Sequence, residues 1–371
     1  AVFQWVVRWW EAGERPEAEL LAAMKHVRFA AMDVGFVKAT VQAWRALDSK
    51  AGKDAIIASY QDAGRACPRS GYGPRLVYVL GGNDDEGGRC LSTVDVYDPR
   101  TDAWKQVSNM PIKRGRHSGV ALDGKIYVVG GSGDDGHTLS GAVVYDPQSD
   151  QWQPLADMVT GREHFAAGAA GGKIYAIGGE NNDCDAMATV EAFDPLPGAW
   201  AEVASMSVAR SHHAVAVVDG KIYAIGGWDA ADGQYLDSVE TYDPQTDSWQ
   251  QVASMPHARH SHAAAAMGGK IYVSGGDSPG DGGEHHETVS TLMVFDPQAD
   301  TWTQLEDMDK CRADHASAAI GGKLYVFGGY AQVLGGSGRR ASVEAYDPIS
   351  NTWAQVSDLS VARDEFMAVA L

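Results

Sequence analysis

The stretch KIYAIGGWDAADGQYLDSVETYDPQTDSW (Lys221–Trp249) contains the central part of a unit that the chain repeats six times. An apolar strand ends at a double glycine, a loop follows, and an alternating strand ends at Tyr-Asp-Pro, with a Trp five residues after the Pro. The double glycine recurs in steps of 49, 48, 48, 49 and 53 residues, at Gly81-Gly82, Gly130-Gly131, Gly178-Gly179, Gly226-Gly227, Gly275-Gly276 and Gly328-Gly329. A regular period of this length indicates a repeat fold.

The turn residues of each unit predict a four-stranded antiparallel meander. Asp-Pro followed by polar residues suits a tight turn, because Pro presets φ. Two-residue hairpin turns are predicted at Asp123-Gly124, Gly171-Gly172, Asp219-Gly220, Gly268-Gly269 and Gly321-Gly322. Six such units predict a mainly β fold, a six-bladed β-propeller in which the Tyr and Trp side chains pack between blades and the double glycines allow close backbone approach.

The ends of the repeat array predict how the propeller closes. Five short hairpins are present in the sequence, and the sixth would join Phe366–Leu371 to Arg75–Gly82. We therefore expect a propeller over residues 66–371 whose first blade is completed by the C-terminal strand, residues 363–371. Such closure removes open sheet edges.

The order of strands in a blade predicts the binding face. In a four-stranded meander, alternate connections lie on opposite faces, so the loops between the second and third strands share one face with the crossovers between blades. These loops vary in length and chemistry, which is typical of binding surfaces on rigid scaffolds. One positional set follows the glycine pairs: Asn83, Ser132, Glu180, Trp228, Asp277 and Tyr330. The other follows a repeated Arg: Arg116, Glu163, His164, Ser211, His212, His260, Ser261, Asp314 and Asp364.

Several polar residues recur at fixed offsets and are interpreted as structural. The repeated arginines are Arg114, Arg162, Arg210, Arg259, Arg312 and Arg363, and the repeated histidines are His117, His213, His262 and His315. Identical residues in every blade serve the repeat itself. His285-His286, near Asp281 and Glu284, could form a metal site, but adjacent histidines on a Gly-rich loop are more often solvated. We therefore expect no metal, no cofactor and no catalytic residues.

Composition limits the classes of partner. The net charge is −19, and residues 67–371 carry its acidic excess, because the first 66 residues hold 9 basic and 8 acidic side chains. An acidic domain repels phosphate backbones, so no nucleic-acid partner is expected, whereas basic proteins are attracted at long range. No apolar run reaches the length of a membrane span. Four widely spaced cysteines without a CxxC pair indicate a reducing compartment, and we expect a cytoplasmic protein.

The double glycines, the Tyr and Trp pairs and the spaced arginines resemble the kelch repeat over residues 75–371. In kelch proteins that bind peptide segments, the two positional sets line the pocket. The resemblance therefore implies a pocket with Trp228 and Tyr330 as aromatic anchors. It also implies that Arg116, Arg339 and Arg340 meet acidic groups of a ligand.

The residues before the repeats read as short amphipathic helices. VVRWW (Val6–Trp10), Arg15, ELLAAMKHVRF (Glu19–Phe29) and Asp33 resemble the C-terminal half of a BACK domain, so residues 1–65 are assigned to that domain. In kelch-like proteins a BACK domain lies between a BTB domain and the propeller.

Together, the two resemblances imply a substrate adaptor of a cullin-RING ubiquitin ligase. In that family the BTB domain dimerises and, with the first part of BACK, binds a cullin, while the propeller presents a substrate protein. We expect residues 1–371 alone to be a monomer that binds substrate but not cullin. The alternatives are a kelch scaffold that binds actin or another cytoskeletal protein and, more remotely, a propeller oxidase of the copper type.

Removal of the C-terminal strand tests the predicted closure of the ring. A chain that ends before Arg363 lacks the innermost strand of the first blade, so the array should lose its cooperative thermal unfolding transition. Differential scanning calorimetry measures this transition. A truncated chain that keeps the wild-type melting temperature would contradict the closure.

Overall fold

The computed structural model describes residues 76–85, 88–279, 286–333 and 336–371. The helical segment predicted for residues 1–65 lies outside the described residues, as do Asp281, Glu284 and His285 of the proposed metal loop. Within the described ranges, no helix has the length and apolar character needed to cross a membrane.

The described residues form thirty β-strands. In chain order they are β1 Val77–Leu80, β2 Asn83–Asp84, β3 Val94–Asp98, β4 Ala103–Val107, β5 Ser118–Leu122, β6 Lys125–Val129, β7 Ala142–Asp146, β8 Gln151–Pro154, β9 Ala166–Ala170, β10 Lys173–Ile177, β11 Val190–Asp194, β12 Ala199–Val203, β13 Ala214–Val218, β14 Lys221–Asp229, β15 Gln234–Asp243, β16 Ser248–Val252, β17 Ala263–Met267, β18 Lys270–Ser274, β19 Asp277–Pro279, β20 His286–Thr288, β21 Leu292–Asp296, β22 Thr301–Gln304, β23 Ala316–Ile320, β24 Lys323–Phe327, β25 Tyr330–Val333, β26 Gly336–Arg339, β27 Val343–Asp347, β28 Thr352–Val356, β29 Arg363–Asp364 and β30 Met367–Ala370.

Six four-stranded antiparallel sheets form the blades of a propeller, which confirms the predicted fold. From the innermost strand outwards they are β30-β1-β3-β4, β5-β6-β7-β8, β9-β10-β11-β12, β13-β14-β15-β16, β17-β18-β21-β22 and β23-β24-β27-β28. The six innermost strands contact their neighbours in a closed ring around the axis. Three two-stranded ribbons, β2-β29, β19-β20 and β25-β26, extend the loop face.

The first blade joins the two ends of the propeller. β30 pairs with β1 in an antiparallel register that sets Met367 opposite Leu80 and Ala370 opposite Val77. Backbone hydrogen bonds between Leu76 and Leu371 extend this pairing in both directions, at 3.1 and 2.9 Å. The innermost strand of this blade thus comes from the far end of the sequence, and no blade of the ring has an unpaired inner strand.

The aromatic pairs connect neighbouring blades, as the sequence predicts. Within a blade, Tyr145 on β7 lies against Trp152 on β8, with ring centroids 4.9 Å apart. The Trp152 indole N–H then donates to the carbonyl of Ser108 in the preceding blade at 3.0 Å. Every blade repeats this bond through its own tryptophan, Trp104, Trp152, Trp200, Trp249, Trp302 or Trp353.

The double glycines allow the backbones of two blades to approach closely. Gly178 and Gly179 have φ of +59° and +90°, which L side chains rarely adopt. A Cβ on Gly178 would lie 2.6 Å from the carbonyl oxygen of Arg210 in the next blade, and one on Gly179 would lie 2.6 Å from that of Glu163. Any side chain here would displace a neighbouring backbone.

The repeated arginines are fully buried and bridge consecutive blades, which agrees with the structural role assigned to them. Arg162 donates from Nη1 to the carbonyl of Gly178 in its own blade at 2.9 Å. Its own carbonyl accepts from the N–H of Gly131 in the preceding blade at 2.9 Å. The same two contacts recur at the other five arginines.

Four of these arginines also form a buried ion pair. Arg162 contacts Glu191 at 2.7 Å, and Arg210 contacts Glu240 at 2.8 Å. Arg312–Glu344 and Arg363–Asp95 are the equivalent pairs. Among the described residues Arg114 and Arg259 have no such carboxylate, and burial lowers the pKa of both to about 10.

The difference between paired and unpaired arginines can be tested by substitution. Arg162→Met leaves the buried carboxylate of Glu191 without its cation, so we expect a loss of about 3–5 kcal/mol in the free energy of unfolding. Arg114→Met leaves only backbone acceptors unpaired, so we expect a loss of about 1–3 kcal/mol in the free energy of unfolding. Urea unfolding followed by tryptophan fluorescence measures both. Equal losses would show that the ion pair adds nothing to the backbone contacts.

Candidate functional site

A ring of six equivalent residues surrounds the propeller axis at the loop face. In each blade the second residue after the repeated arginine has a left-handed backbone, with φ between +48° and +55°. The N–H of each residue donates to the carbonyl of its neighbour in the ring, at 2.8 to 3.2 Å, and the six bonds form a closed circle. The ring consists of Arg116, His164, His212, Ser261, Asp314 and Glu365.

The side chains of this ring line a pocket of about 110 Å³ on the axis. The residues that follow them in each blade complete its wall: His117, Phe165, His213, His262, His315 and Phe366. These are buried. They pack against the first glycine of each pair; the His213 ring, for example, lies 2.9 Å from the position that a Cβ on Gly178 would take. The volume is well below the roughly 300 Å³ of a typical small-molecule site, so it suits one polar group or side-chain end.

Glu365 is the centre of a buried charge network. Its Oε2 accepts from Arg116 Nε at 2.9 Å and from the side-chain amide of Asn83. Its Oε1 lies 3.3 Å from Nε2 of His164. Burial alone would raise the pKa of Glu365, but the hydrogen bond and charge of His164, with Arg116, lower it to about 2. Glu365 is therefore ionised at neutral pH.

His164 and His212 share a second carboxylate, that of Glu180. Their rings stack with centroids 3.6 Å apart. Nδ1 of His164 lies 3.5 Å from one oxygen of Glu180, and Nε2 of His212 lies 3.7 Å from the other. Burial alone would lower the pKa of His164, but Glu180 and Glu365 raise it to about 9. Burial and the charge of His164 lower the pKa of His212, so one imidazole of the pair is charged and the other neutral.

The opposite side of the pocket is aromatic and hydroxylic. The Ser261 hydroxyl lies 3.4 Å from Nδ1 of His212 and 3.1 Å from Nδ1 of His260. His260 stacks on Tyr235 with ring centroids 4.7 Å apart, and Tyr235 meets the edge of Trp228 at 5.2 Å. All three rings are partly exposed, so they form an aromatic rim beside the pocket.

Two further carboxyl groups have raised pKa values, one lining the pocket and one in the surrounding layer. Burial, followed by the charge of Glu365, raises the pKa of Asp314 to about 7. Burial also raises the pKa of Asp364 to about 6, although its ion pair with Arg339 at 2.8 Å opposes the rise. The pocket and its surrounding layer thus hold carboxyl groups that titrate near neutral pH beside two that stay ionised.

The structure brings five of the residues predicted from the repeat to the pocket. Arg116, His164, His212, Ser261 and Asp314 line the pocket. The remaining positions of the two sets lie outside the pocket wall, further from the propeller axis. There the residue after each glycine pair forms a backbone bridge with the residue after the arginine of the same blade: Asn83 with Asp364, Ser132 with Gly115, Glu180 with Glu163, Trp228 with Ser211, Asp277 with His260, and Tyr330 with Ala313.

Two of the arginines predicted to bind a ligand have internal partners, and their role in binding stays a prediction. Arg116 and Arg339 were expected to meet acidic groups of a ligand, but both already have carboxylate partners within the propeller. Arg116 contacts Glu365 at 2.9 Å and Glu163 at 3.4 Å, and Arg339 contacts Asp364 at 2.8 Å. Arg340 follows β26, where its backbone N–H donates to Gly329. A ligand anion must therefore compete with these internal partners.

Apart from the six buried residues that complete the pocket wall, sequence reasoning missed two residues of the site. Glu365 stands at the same offset from its arginine as Arg116 and His164, so the repeat register could have identified it. Tyr235 lies in a variable loop, where no positional rule applies, and only the pairing of Trp228 with Tyr235 across β14 and β15 carries its ring to His260.

Comparison with protein families places the chain among kelch propellers. The family model described as KLHDC2/KLHL20/DRC7 Kelch-repeats domain matches residues 72–276, 156–311 and 254–365. Together these matches cover most of the chain, so the chain belongs to the kelch-repeat family. The kelch propeller is a protein-interaction fold.

Curated relatives match over shorter stretches. Kelch-like protein 25 of Rattus norvegicus is 38% identical over 72 residues, which is 19% of this chain and 12% of the relative. Kelch-like ECH-associated protein 1B of Danio rerio is 32% identical over 83 residues, 22% of this chain and 14% of the relative. An F-box/kelch-repeat protein of Arabidopsis thaliana is 30% identical over 86 residues, 23% of this chain and 18% of the relative. The matched stretches thus span less than a fifth of each relative's length.

The solved structures agree on the fold. The chain is similar to the structure of YjhT with a TM-score of 0.62 and 16% sequence identity, over 77% of this chain and 98% of that one. At this identity the likeness concerns the propeller architecture alone.

Asp314 predicts a pH-dependent effect on stability. Because its folded pKa of about 7 exceeds the roughly 3.9 of an unfolded Asp, its ionisation destabilises the fold increasingly between pH 4 and 7, and fully above that. Asp314→Asn should therefore raise the melting temperature at pH 8, by about 2–4 °C per kcal/mol of relieved charge burial, and leave it unchanged at pH 4.

Calorimetry across this pH range makes the measurement, with the exposed Asp232→Asn as the control for loss of one negative charge. If Asp314→Asn raised the melting temperature equally at pH 4 and pH 8, the titration assigned to Asp314 would be contradicted.

Proposed function

We propose that this propeller binds a partner protein through the axial pocket and its aromatic rim, and presents it for ubiquitin transfer as a substrate adaptor in the cytoplasm. In this proposal the propeller performs no chemistry itself, and the ligase is recruited through domains outside the propeller, of the BTB and BACK type. The cullin scaffold contacts those domains and not the blades.

The observation that carries the proposal is the combination of a small charged pocket with an adjacent aromatic rim. A volume of about 110 Å³ admits one polar side-chain end or a chain terminus. Trp228, Tyr235 and His260 offer rings against which the flanking residues of a bound segment can pack. Aromatic anchors next to a desolvated polar group are typical of protein-interaction hot spots.

Charge favours a basic or polar partner segment. Residues 67–371 hold 41 acidic and 21 basic side chains, so the long-range field attracts basic surfaces. Asp314 and Glu365 line the pocket, and Glu163, Glu180 and Asp364 lie around it; together these carboxyl groups outnumber the nearby cations. Since Arg116 is already neutralised, a ligand ammonium or guanidinium meets less competition than a ligand carboxylate.

The relatives support the ubiquitin step by analogy. Two of them are kelch-like proteins, and a third carries an F-box with its kelch repeats. The alternative from another class is a kelch scaffold that binds actin or another cytoskeletal protein without a ubiquitin role. The pocket geometry is compatible with both, because fold and interface chemistry do not define what happens to a bound partner.

Capture of partners by matched variants tests the binding face. The immobilised chain should retain a set of proteins that Arg116→Ala loses, because the substitution breaks the network at Glu365 and Glu163. Lys173→Ala, in the hairpin between β9 and β10 on the opposite face, should retain them. Quantitative mass spectrometry compares the captured sets. Equal capture by both variants would place binding outside the pocket.

The ubiquitin step has its own measurement. For a partner lost with Arg116→Ala, depletion of this protein from cells should raise the partner's half-life, and a variant unable to bind it should not restore turnover. An unchanged half-life, with co-sedimentation of the chain with filamentous actin, would favour the scaffold instead.

A further inference from the structure

Two imidazoles and one carboxylate converge beside the axial pocket with spacings that a hydrogen-bonded network does not explain well. The Nδ1 of His164 and the Nε2 of His212 lie 3.5 and 3.7 Å from the two oxygens of Glu180. Both distances are longer than a normal N–H···O hydrogen bond. Two ligands of one tetrahedral zinc ion, each about 2.0–2.2 Å from the metal, lie roughly 3.3–3.5 Å apart, which is close to both distances, although the two histidines face different oxygens of Glu180.

We propose that His164, Glu180 and His212 bind one divalent transition-metal ion of the zinc class. One atom from each residue can be chosen so that all three lie within 4.8 Å of one another. Two imidazoles and a carboxylate form a ligand set that suits zinc and leaves further coordination positions open.

The outer contacts of both histidines support this assignment. Metal-bound histidines usually donate their second ring N–H to a carboxylate or another polar group, which fixes the ring orientation. The second nitrogen of His164 lies 3.3 Å from Glu365, and the second nitrogen of His212 lies 3.4 Å from the Ser261 hydroxyl. In both residues the nitrogen that faces Glu180 is therefore the one left for a metal.

The backbone holds the three candidate ligands on rigid elements. His164 and His212 are neighbours in the axial ring, joined by the bond from His212 N–H to the His164 carbonyl at 2.8 Å. Glu180 is paired with Glu163 by two backbone hydrogen bonds, at 2.8 and 3.0 Å. The rings of His164 and His212 are stacked with centroids 3.6 Å apart, so metal binding requires them to rotate apart while the backbone that carries them stays in place.

The ion would be accessible to a ligand from the pocket. His164 and His212 both line it, so a remaining coordination position can take water or an oxygen, nitrogen or sulfur donor of a bound molecule. The site differs from the His285-His286 loop considered from the sequence, and it uses residues that the repeat register had assigned to partner binding.

The competing interpretation is a metal-free network in which a protonated His164 bridges Glu180 and Glu365. The two interpretations differ in stoichiometric metal binding. Isothermal titration of the chelator-treated full chain with Zn²⁺ should give one ion per chain, and the bound form should unfold at a higher temperature. Co²⁺ should give the visible absorption bands of a low-symmetry four- or five-coordinate site with nitrogen and oxygen ligands.

Matched variants locate the ion. Glu180→Gln keeps the side-chain shape and should weaken Zn²⁺ binding at least tenfold, since loss of even an outer partner of a metal-bound histidine costs about 10–100-fold. His212→Asn should act likewise. Asp232→Asn removes the same charge from an exposed position and should bind Zn²⁺ like the wild type, as should the double variant His285→Gln/His286→Gln.

Each outcome decides the question. Circular dichroism and the melting temperature of the metal-free proteins first show that the variants fold; if Glu180→Gln does not, the Co²⁺ spectrum of the wild type alone decides. The proposal is overturned if the wild type binds no stoichiometric Zn²⁺, if Co²⁺ gives only the weak spectrum of the hydrated ion, or if binding survives in Glu180→Gln and His212→Asn but is lost in the His285/His286 variant.

Discussion

The fold depends on a buried arginine that holds two blades at once. The Arg162 carbonyl accepts from the glycine pair of one blade, while its guanidinium donates to the glycine pair of the next. A charge removed from water needs partners for its donors: a glycine carbonyl accepts from each of the six guanidinium groups, and four of them also have a buried carboxylate. The glycines are in turn required, because a Cβ on the first would meet the carbonyl of the arginine in the next blade, and one on the second would meet the carbonyl of the residue after the arginine in its own blade. The arginine and the glycine pair thus constrain each other, and their joint recurrence sets the period of the sequence.

The candidate site is a consequence of that constraint. Once the arginine is fixed, the chain two residues later turns through a left-handed conformation and closes the ring of backbone hydrogen bonds on the axis. The ring satisfies the backbone polar groups without using side chains. Six side chains are thereby presented to one pocket, and the fold imposes no identity on them. Identical backbones can therefore carry Arg116, His164, Ser261 and Glu365 at equivalent positions, which makes a nearly symmetric scaffold chemically asymmetric.

The repeat fixes the backbone but not the ring side chains, and this difference explains what could be predicted from the sequence. The blades, the pairing of Tyr145 with Trp152 and the position of His164 on the axis follow from periodicity, because the repeat fixes backbone geometry. The pairing of side chains does not follow from it. Arg116 was expected to face a ligand, yet it contacts Glu365, a residue from the opposite end of the chain. Such contacts depend on rotamers and on which of several carboxylates an arginine reaches, and no spacing rule encodes either. The segment before the propeller remains a prediction from resemblance alone.

The internal pairing also determines which ligands the pocket can select. Glu365, Arg116 and His164 satisfy one another, so a ligand that merely fills the volume gains little and leaves buried polar groups unpaired if it displaces a partner. A ligand gains affinity only when it supplies at least as many polar contacts as it removes. A pocket with satisfied charges therefore rejects apolar groups strongly and distinguishes among polar ones by geometry. Selectivity of this kind comes from the free-energy cost of leaving buried polar groups unpaired when the wrong ligand binds. It requires a rigid ring, because a flexible ring would rearrange and relieve that cost.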